Sequence, residues 1–312
     1  MSQGTPSNFP NGFRNGVVIR GVPLSVTNPG KVFWVNGSSV LAPGAVGGSN
    51  GNDGTYQRPF ATIDYAVGKC TASRGDIIMV MPGHSEDISG AGSLTLDVAG
   101  VAVIGLGTGS LRPDLNFSDT AGTVEVDAAD VTLYNITLTA DVSAVVVGIN
   151  VDAAGCTIDS CEFGLNASGD DFITGIDVDA VDGFVFTNNV WRAENNIAGA
   201  AEAIRLDTAT NYRIEGNRIL GEFSDGCIVS EGAAGSLGII ANNLLYNQDT
   251  AGGETIDLNV ADTGICANNL MGTLFTTAPE TAFDPGSMLC AENYMANAVD
   301  ESAALVPTTV ST

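Results

Sequence analysis

The chain has 312 residues, 44% hydrophobic, with 39 glycines, 11 Lys and Arg against 36 Asp and Glu, and a formal net charge of −25. That balance excludes nucleic-acid backbones and anionic membrane surfaces as partners, since both need clustered cations. The apolar content excludes a disordered chain, and no apolar run approaches the roughly 20 residues of a membrane helix.

Residues 1–55 read as an N-terminal arm and loop. The opening Met1-Ser2-Gln3-Gly4-Thr5-Pro6 has neither the basic nor the apolar region of a secretion signal, so a soluble protein is expected. Up to about residue 32 there is no repeat, and Arg14, Arg20 and Lys31 give the arm a positive bias within an acidic chain. The Gly- and Asn-rich stretch 41–55 reads as a flexible loop. Next, Ile63, Ala66, Val67 and Cys70 form an i, i+3, i+4, i+7 stripe, which predicts a short amphipathic helix. Gly75 to Gly83 then reads as a strand ended by Pro82-Gly83, and the helix before it is placed to cover the open end of the coil.

The body of the chain is a repeat. Asn189, Asn217, Asn243, Asn269 and Asn293 occupy one slot at steps of 28, 26, 26 and 24, each within an apolar–polar–apolar frame, and Cys161 and Ile136 fill the same slot earlier. A second ladder, Ile149, Ile176, Ile204, Ile228 and Ile256, runs in phase with the first. Alternation at period two makes these segments short strands with one inward face. No rung can bury that face alone, whereas rungs stacked at roughly 4.8 Å bury a continuous core. The fold class is therefore all-β, a single-stranded right-handed parallel β-helix over residues 56–295, with an N-terminal capping helix and extended terminal arms. Residues 296–312 abandon the pattern and form a C-terminal tail. The asparagines are expected to be structural: they tolerate the left-handed backbone of a sharp bend, and stacked amides bond to one another.

Chemistry is harder to find. Asp152, Asp179, Asp207 and Glu231 fall on one edge of the coil, with Asp177, Arg205 and Asp257 facing outward nearby. Glu202, Arg205 and Asp207 have the make-up of an acid, a cation and a second acid for glycoside hydrolysis. Each, however, occupies a slot of the repeat, and a turn acid that caps local amides needs no catalytic explanation. No catalytic residue and no cofactor is expected. The acid ladder does supply calcium candidates, Asp152, Asp179 and Asp207, because Ca²⁺ accepts irregular oxygen cages. His84 reads as a turn histidine, and Gly105-Leu106-Gly107-Thr108-Gly109 lacks a phosphate-binding lysine. The six cysteines form no CxxC pair and read as buried free thiols.

The run from Arg58 to Gly83, succeeded by Asn-marked rungs, resembles the opening of pectin-lyase-like right-handed β-helix proteins over about residues 56–295. Asn8-Phe9-Pro10-Asn11-Gly12-Phe13-Arg14-Asn15-Gly16 through Lys31-Val32-Phe33-Trp34-Val35 resembles virion structural proteins of tailed phages, marine ones especially, over about the first 85 residues. The second resemblance implies a non-enzymatic component of the virion, assembled in the host cytoplasm. Such a protein would be a capsid decoration or cement protein docked through its arms on the major capsid protein or another virion protein, commonly as a homotrimer. The first implies an alternative, a polysaccharide lyase or glycosidase of tailspike type, or a glycan-binding adhesin. Lyases of this fold use calcium-binding acids with an arginine base, and no compact cluster of that kind is expected to stand out from the repeat here. Repulsion from a net charge of −25 also opposes acidic polysaccharides.

Overall fold

The computed structural model describes residues 18–19, 22–23, 30–38, 41, 44–165, 167, 169–192, 200–275, 281–296 and 304–306. Arg14, Arg20 and most of residues 1–29 lie outside these residues, as does the tail apart from Ala296 and the strand Ala304–Val306.

The chain winds into a parallel β-helix of about eight turns. Each turn lays one strand on each of three sheets. A representative turn runs Arg213–Glu215 on the first sheet, Arg218–Gly221 on the second and Gly226–Ser230 on the third. The next turn repeats the order with Gly238–Ala241, Leu244–Asn247 and Glu254–Asp257. Within the turns every strand pairs in parallel with its equivalent one turn away. The isoleucine ladder is vertical: Ile149 pairs with Ile176, Ile176 with Ile204, Ile204 with Ile228 and Ile228 with Ile256, all fully buried. Each contributes on the order of 1.5–3 kcal/mol by burial. On the second sheet Phe163 stacks flat on Trp191 at 4.4 Å between ring centroids. A methyl group on Gly175 would overlap that indole, so the third sheet has room there only for glycine.

The turn between the first and second sheets is built by two adjacent residues with separate tasks. The left-handed residue is not the ladder asparagine, as its chemistry suggested, but the residue before it. Asn135, Ser160, Asn188, Gly216, Asn242, Asn268 and Glu292 hold φ between 53° and 70°. The bend thus swings the following side chain into the core, where the ladder asparagines are buried. Their amides are fully engaged. Asn217 Nδ2 donates to Asn243 Oδ1 at 3.0 Å and to the Phe186 carbonyl at 2.9 Å. Its Oδ1 accepts from the Asn189 main-chain N–H at 2.9 Å and from Asn189 Nδ2 at 3.2 Å. The pattern continues through Asn269 to Asn293. It starts at Cys161, whose N–H donates to Asn189 Oδ1.

The first turn is closed by the predicted helix, trimmed to Ile63–Val67, with Thr62 accepting from the Tyr65 N–H and Gly68 ending it. Ile63, Ala66 and Val67 face the core. Glu86 stands where later turns place Leu115, Leu138 and Phe163. It accepts the Ile63 N–H at 2.9 Å and the His84 Nε2–H at 3.1 Å, while His84 Nδ1 accepts the Gly37 N–H at 2.7 Å. His84 is therefore a buried pin of the cap. Val32–Val35 adds one more parallel strand to the first sheet, beside Ile77–Val80. The stretch read as a loop is held against it: the Trp34 N–H donates to the Gly54 carbonyl and the Phe60 N–H to the Trp34 carbonyl. All six cysteines are free, four of them buried. Among the described residues no helix is long and apolar enough to cross a membrane.

Candidate functional site on the third sheet

Charged side chains collect on the outward face of the third sheet. In register from turn to turn stand Glu125, Asn150, Asp177, Arg205, Val229, Asp257 and Asp284. Just before this column the strands bend, because two consecutive residues face inward: Gly175 with Ile176, Ala203 with Ile204, Cys227 with Ile228. The bend brings the residue ahead of it, Glu202, round to the side of Arg205.

A compact cluster of acids around one base therefore does exist, contrary to the expectation from sequence. Arg205 forms a two-pronged bridge to Asp177, with Nε–Oδ1 at 2.9 Å and Nη2 on Oδ2. Its Nη1 lies 3.5 Å from Glu202 Oε1 and 3.9 Å from Glu231 Oε2. Thr174 Oγ1 donates to Glu202 Oε1 at 2.6 Å. Burial pushes the Glu202 carboxyl up from 4.5; Thr174 and Arg205 pull it down, and Glu231 and Asp225 add to the rise. The Asp177 hydrogen bonds raise the Arg205 guanidinium, keeping it charged. Asp207, expected beside Glu202 and Arg205, instead accepts from Thr208 Oγ1 and the Ala233 N–H as a turn cap. Asp177 and Thr174 take its place because neighbours in a solenoid are one turn apart, about 28 residues away, rather than two. That period was the signal available for finding them.

The calcium candidates stand in adjoining turns: Val151 pairs with Val178, which brings Asp152 beside Asp179. Asp152 gathers with Glu125 and Asp127, their oxygens within 4.8 Å of one another, while Asp179 pairs in register with Asp207. Asn150 Nδ2 donates to both Glu125 at 2.9 Å and Asp152 at 3.0 Å. Burial, then the charges of Asp127, Asp179 and Asp177, raises the Asp152 carboxyl against the pull of Asn150. Further along the face burial also raises Glu254 and Asp257, helped by repulsion from Asp284 and Asp225.

A raised carboxyl beside a fixed cation is the raw material of acid catalysis. Access is the obstacle, since Glu202 is only 2% exposed. Neither of two surface concavities includes it. One small hollow lies between Phe172, Trp191 and Arg192. The other, of about 460 Å³, lies on the first sheet among Val185, Thr187, Arg213 and Glu215.

No protein-family model and no curated protein matches the chain. Among solved structures, a rhamnogalacturonan lyase is similar at a TM-score of 0.36 and 13% identity, over 89% of this chain and 90% of that one. ORF18 of Geobacillus virus E2 is similar at 0.35 and 11%, over 75% of this chain; the match spans 57% of the viral chain. At these scores the likeness is one of general shape alone.

Proposed function

We propose that the protein is a non-enzymatic structural component of a tailed-phage particle, a capsid decoration protein that docks on the shell through its terminal arms. The observation that carries the non-enzymatic half is the closure of Glu202. Among the described residues, Glu202 is the third-sheet carboxyl that combines deep burial with a raised proton affinity, and its packing against Arg205 and Thr174 at 2% exposure favours a structural part over contact with a bulky glycan. Of the acids around it, Asp207 and Asp249 cap turn amides, and Asp177 holds Arg205. The phage half rests on the resemblance of about the first 85 residues to virion structural proteins. A stiff, strongly acidic coil between irregular ends suits a body that is held at its ends and repels what approaches its sides.

Mass spectrometry of purified particles tests this reading. The chain should be present at a fixed ratio to the major capsid protein and be lost from particles when residues 1–29 are deleted. Its absence from particles ends the proposal. The Arg205 cluster favours a second reading, cleavage or binding of a polysaccharide on the third sheet. That reading requires sugar release or retention on a glycan panel, abolished by Glu202→Gln with the fold intact.

A further inference from the structure

The inward column of the first sheet changes chemistry at its end. It climbs through Leu133, Ile158, Phe186, Ile214 and Ile240, each in register with the next and each buried. Its last two places are thiols: Cys266 pairs with Ile240, and Cys290 with Cys266. Equivalent residues of neighbouring parallel strands point to the same face, so both side chains enter the same end of the core. Among the described residues no other two cysteines stand in register. Cys156 and Cys161 merely flank one strand, Thr157–Asp159, of a single turn.

Neighbouring strands lie about 4.8 Å apart, inside the range of roughly 4.4–6.8 Å that a disulfide spans between Cα atoms. Its Cβ atoms need a separation of about 4 Å, so one strand has to move slightly toward the other. Leu289–Ala291 is free to do so. It is three residues long and, among the described residues, the end strand of its sheet, bonded on one side only. The two thiols already share a hydrogen bond, and they are unequal partners. Cys266 is fully buried, whereas Cys290 is half-buried in the last turn. The Cys266 hydrogen bond holds the Cys290 thiol below the ordinary 9.0, against the opposing effect of burial. The same bond, with burial, raises Cys266 well above that value. Cys70, the other half-buried thiol, is pushed up to about 12 by burial and by Asp76. Because the thiolate is the attacking form, Cys290 is the sulfur that a reagent meets first.

We propose that Cys266 and Cys290 are a modification site, a dithiol that small-molecule disulfides oxidise to a cross-link fastening the last turn of the coil to the one before it. The Cys290 thiolate attacks one sulfur of the small disulfide, forming a mixed disulfide and releasing one thiol. Cys266 then gives up its proton, attacks Cys290 Sγ and expels the second thiol. The protein loses two protons and two electrons, and the small disulfide is reduced to two thiols. The site is independent of the virion reading, because it is measured on the isolated chain. Full-length protein is incubated with oxidised glutathione, its remaining thiols are alkylated after unfolding, and the chain is cleaved at methionine. Met271 and Met288 lie between the two cysteines, so their fragments stay together only if the sulfurs are bonded. The joined fragment should appear, and dithiothreitol should separate it. Amide exchange in Leu289–Ala291 should slow by about tenfold once the link has closed, since a cross-linked strand frays less. Cys266→Ala should leave Cys290 trapped as its glutathione adduct, and Cys290→Ala should leave Cys266 unmodified. Six free thiols after prolonged incubation overturn the proposal, as does a link to any other cysteine. So does a Cys266→Ala chain whose Cys290 takes up no glutathione, or a closed link that leaves exchange in the last turn unchanged.

Discussion

The same corner of the coil is built in two opposite ways. In the N-terminal turns its inner slot is apolar, filled by Ile136 and Cys161, and its outer flanks carry Asp159, Glu162 and Thr137. In the C-terminal turns the inner slot holds Asn243, Asn269 and Asn293, and the outer flanks carry Ile265, Leu270 and Leu289. Polarity has been turned inside out with the strand register unchanged. A solenoid, then, asks of a residue only that its neighbours above and below suit it. A buried amide is stable in a column of amides, because each donor meets the next acceptor.

Asn243→Leu puts that contrast under the greatest load. It strips the Asn217 main-chain N–H and Nδ2 of their shared acceptor and the Ile214 carbonyl of its donor. The Asn217 N–H and the Ile214 carbonyl are left without these partners while Nδ2 keeps the Phe186 carbonyl, so at roughly 1–3 kcal/mol for each of the two groups the expected loss is about 2–6 kcal/mol in denaturant unfolding. Cys161→Asn makes the opposite change at the head of the ladder, where Asn189 can answer from one side only. It should cost less than half as much, and equal costs would show that the ladder is not a cooperative column.

A smaller effect is expected at Gly175→Ala, upstream of the ladder. Its new methyl would overlap the Trp191 ring, and overpacking of this kind costs about 1–3 kcal/mol. A neutral result would mean that the aromatic turns are loosely packed and that the two halves differ less in their cores than their residues suggest.

The smallest predicted effect is that of pH, and it belongs to the third sheet rather than to the corner. Burial raises Glu202 and Glu254 above the ordinary 4.5, and Asp152 and Asp257 above the ordinary 3.8. A carboxyl raised on folding binds its proton more tightly in the folded state. Its contribution is full below the ordinary value and is lost as pH rises through the raised one. The thermal midpoint should therefore climb as pH is lowered from 7 toward 4.5. Asp76 works the other way. Burial alone would raise it, but Arg74 and the N–H groups of Lys31 and Thr71 hold it below 3.8. Its contribution is lost only as pH falls through that depressed value, so stability should drop again in strong acid. A midpoint that declines steadily from pH 7 downward would count against the crowded acids of the third sheet.

The coil, its phase and its core were legible in the amino-acid order alone. Strand alternation and a recurring slot are local and repeat many times, so each turn checks the one before it, and Ile176, Ile204 and Ile228 could be stacked from their spacing. The capping helix was legible too, because the stripe from Ile63 to Cys70 is a contiguous signal. Contacts across turns came from the packed coil and nowhere else. Asp177 rather than Asp207 holds Arg205, and Asn150 bridges Glu125 and Asp152. The left-handed duty falls on the residue before each ladder asparagine. A side chain's partners lie one full turn away, about 24–28 residues along the chain, where no local pattern reports them. Which of two adjacent residues points inward is set by a bend that becomes visible only when the turns are stacked.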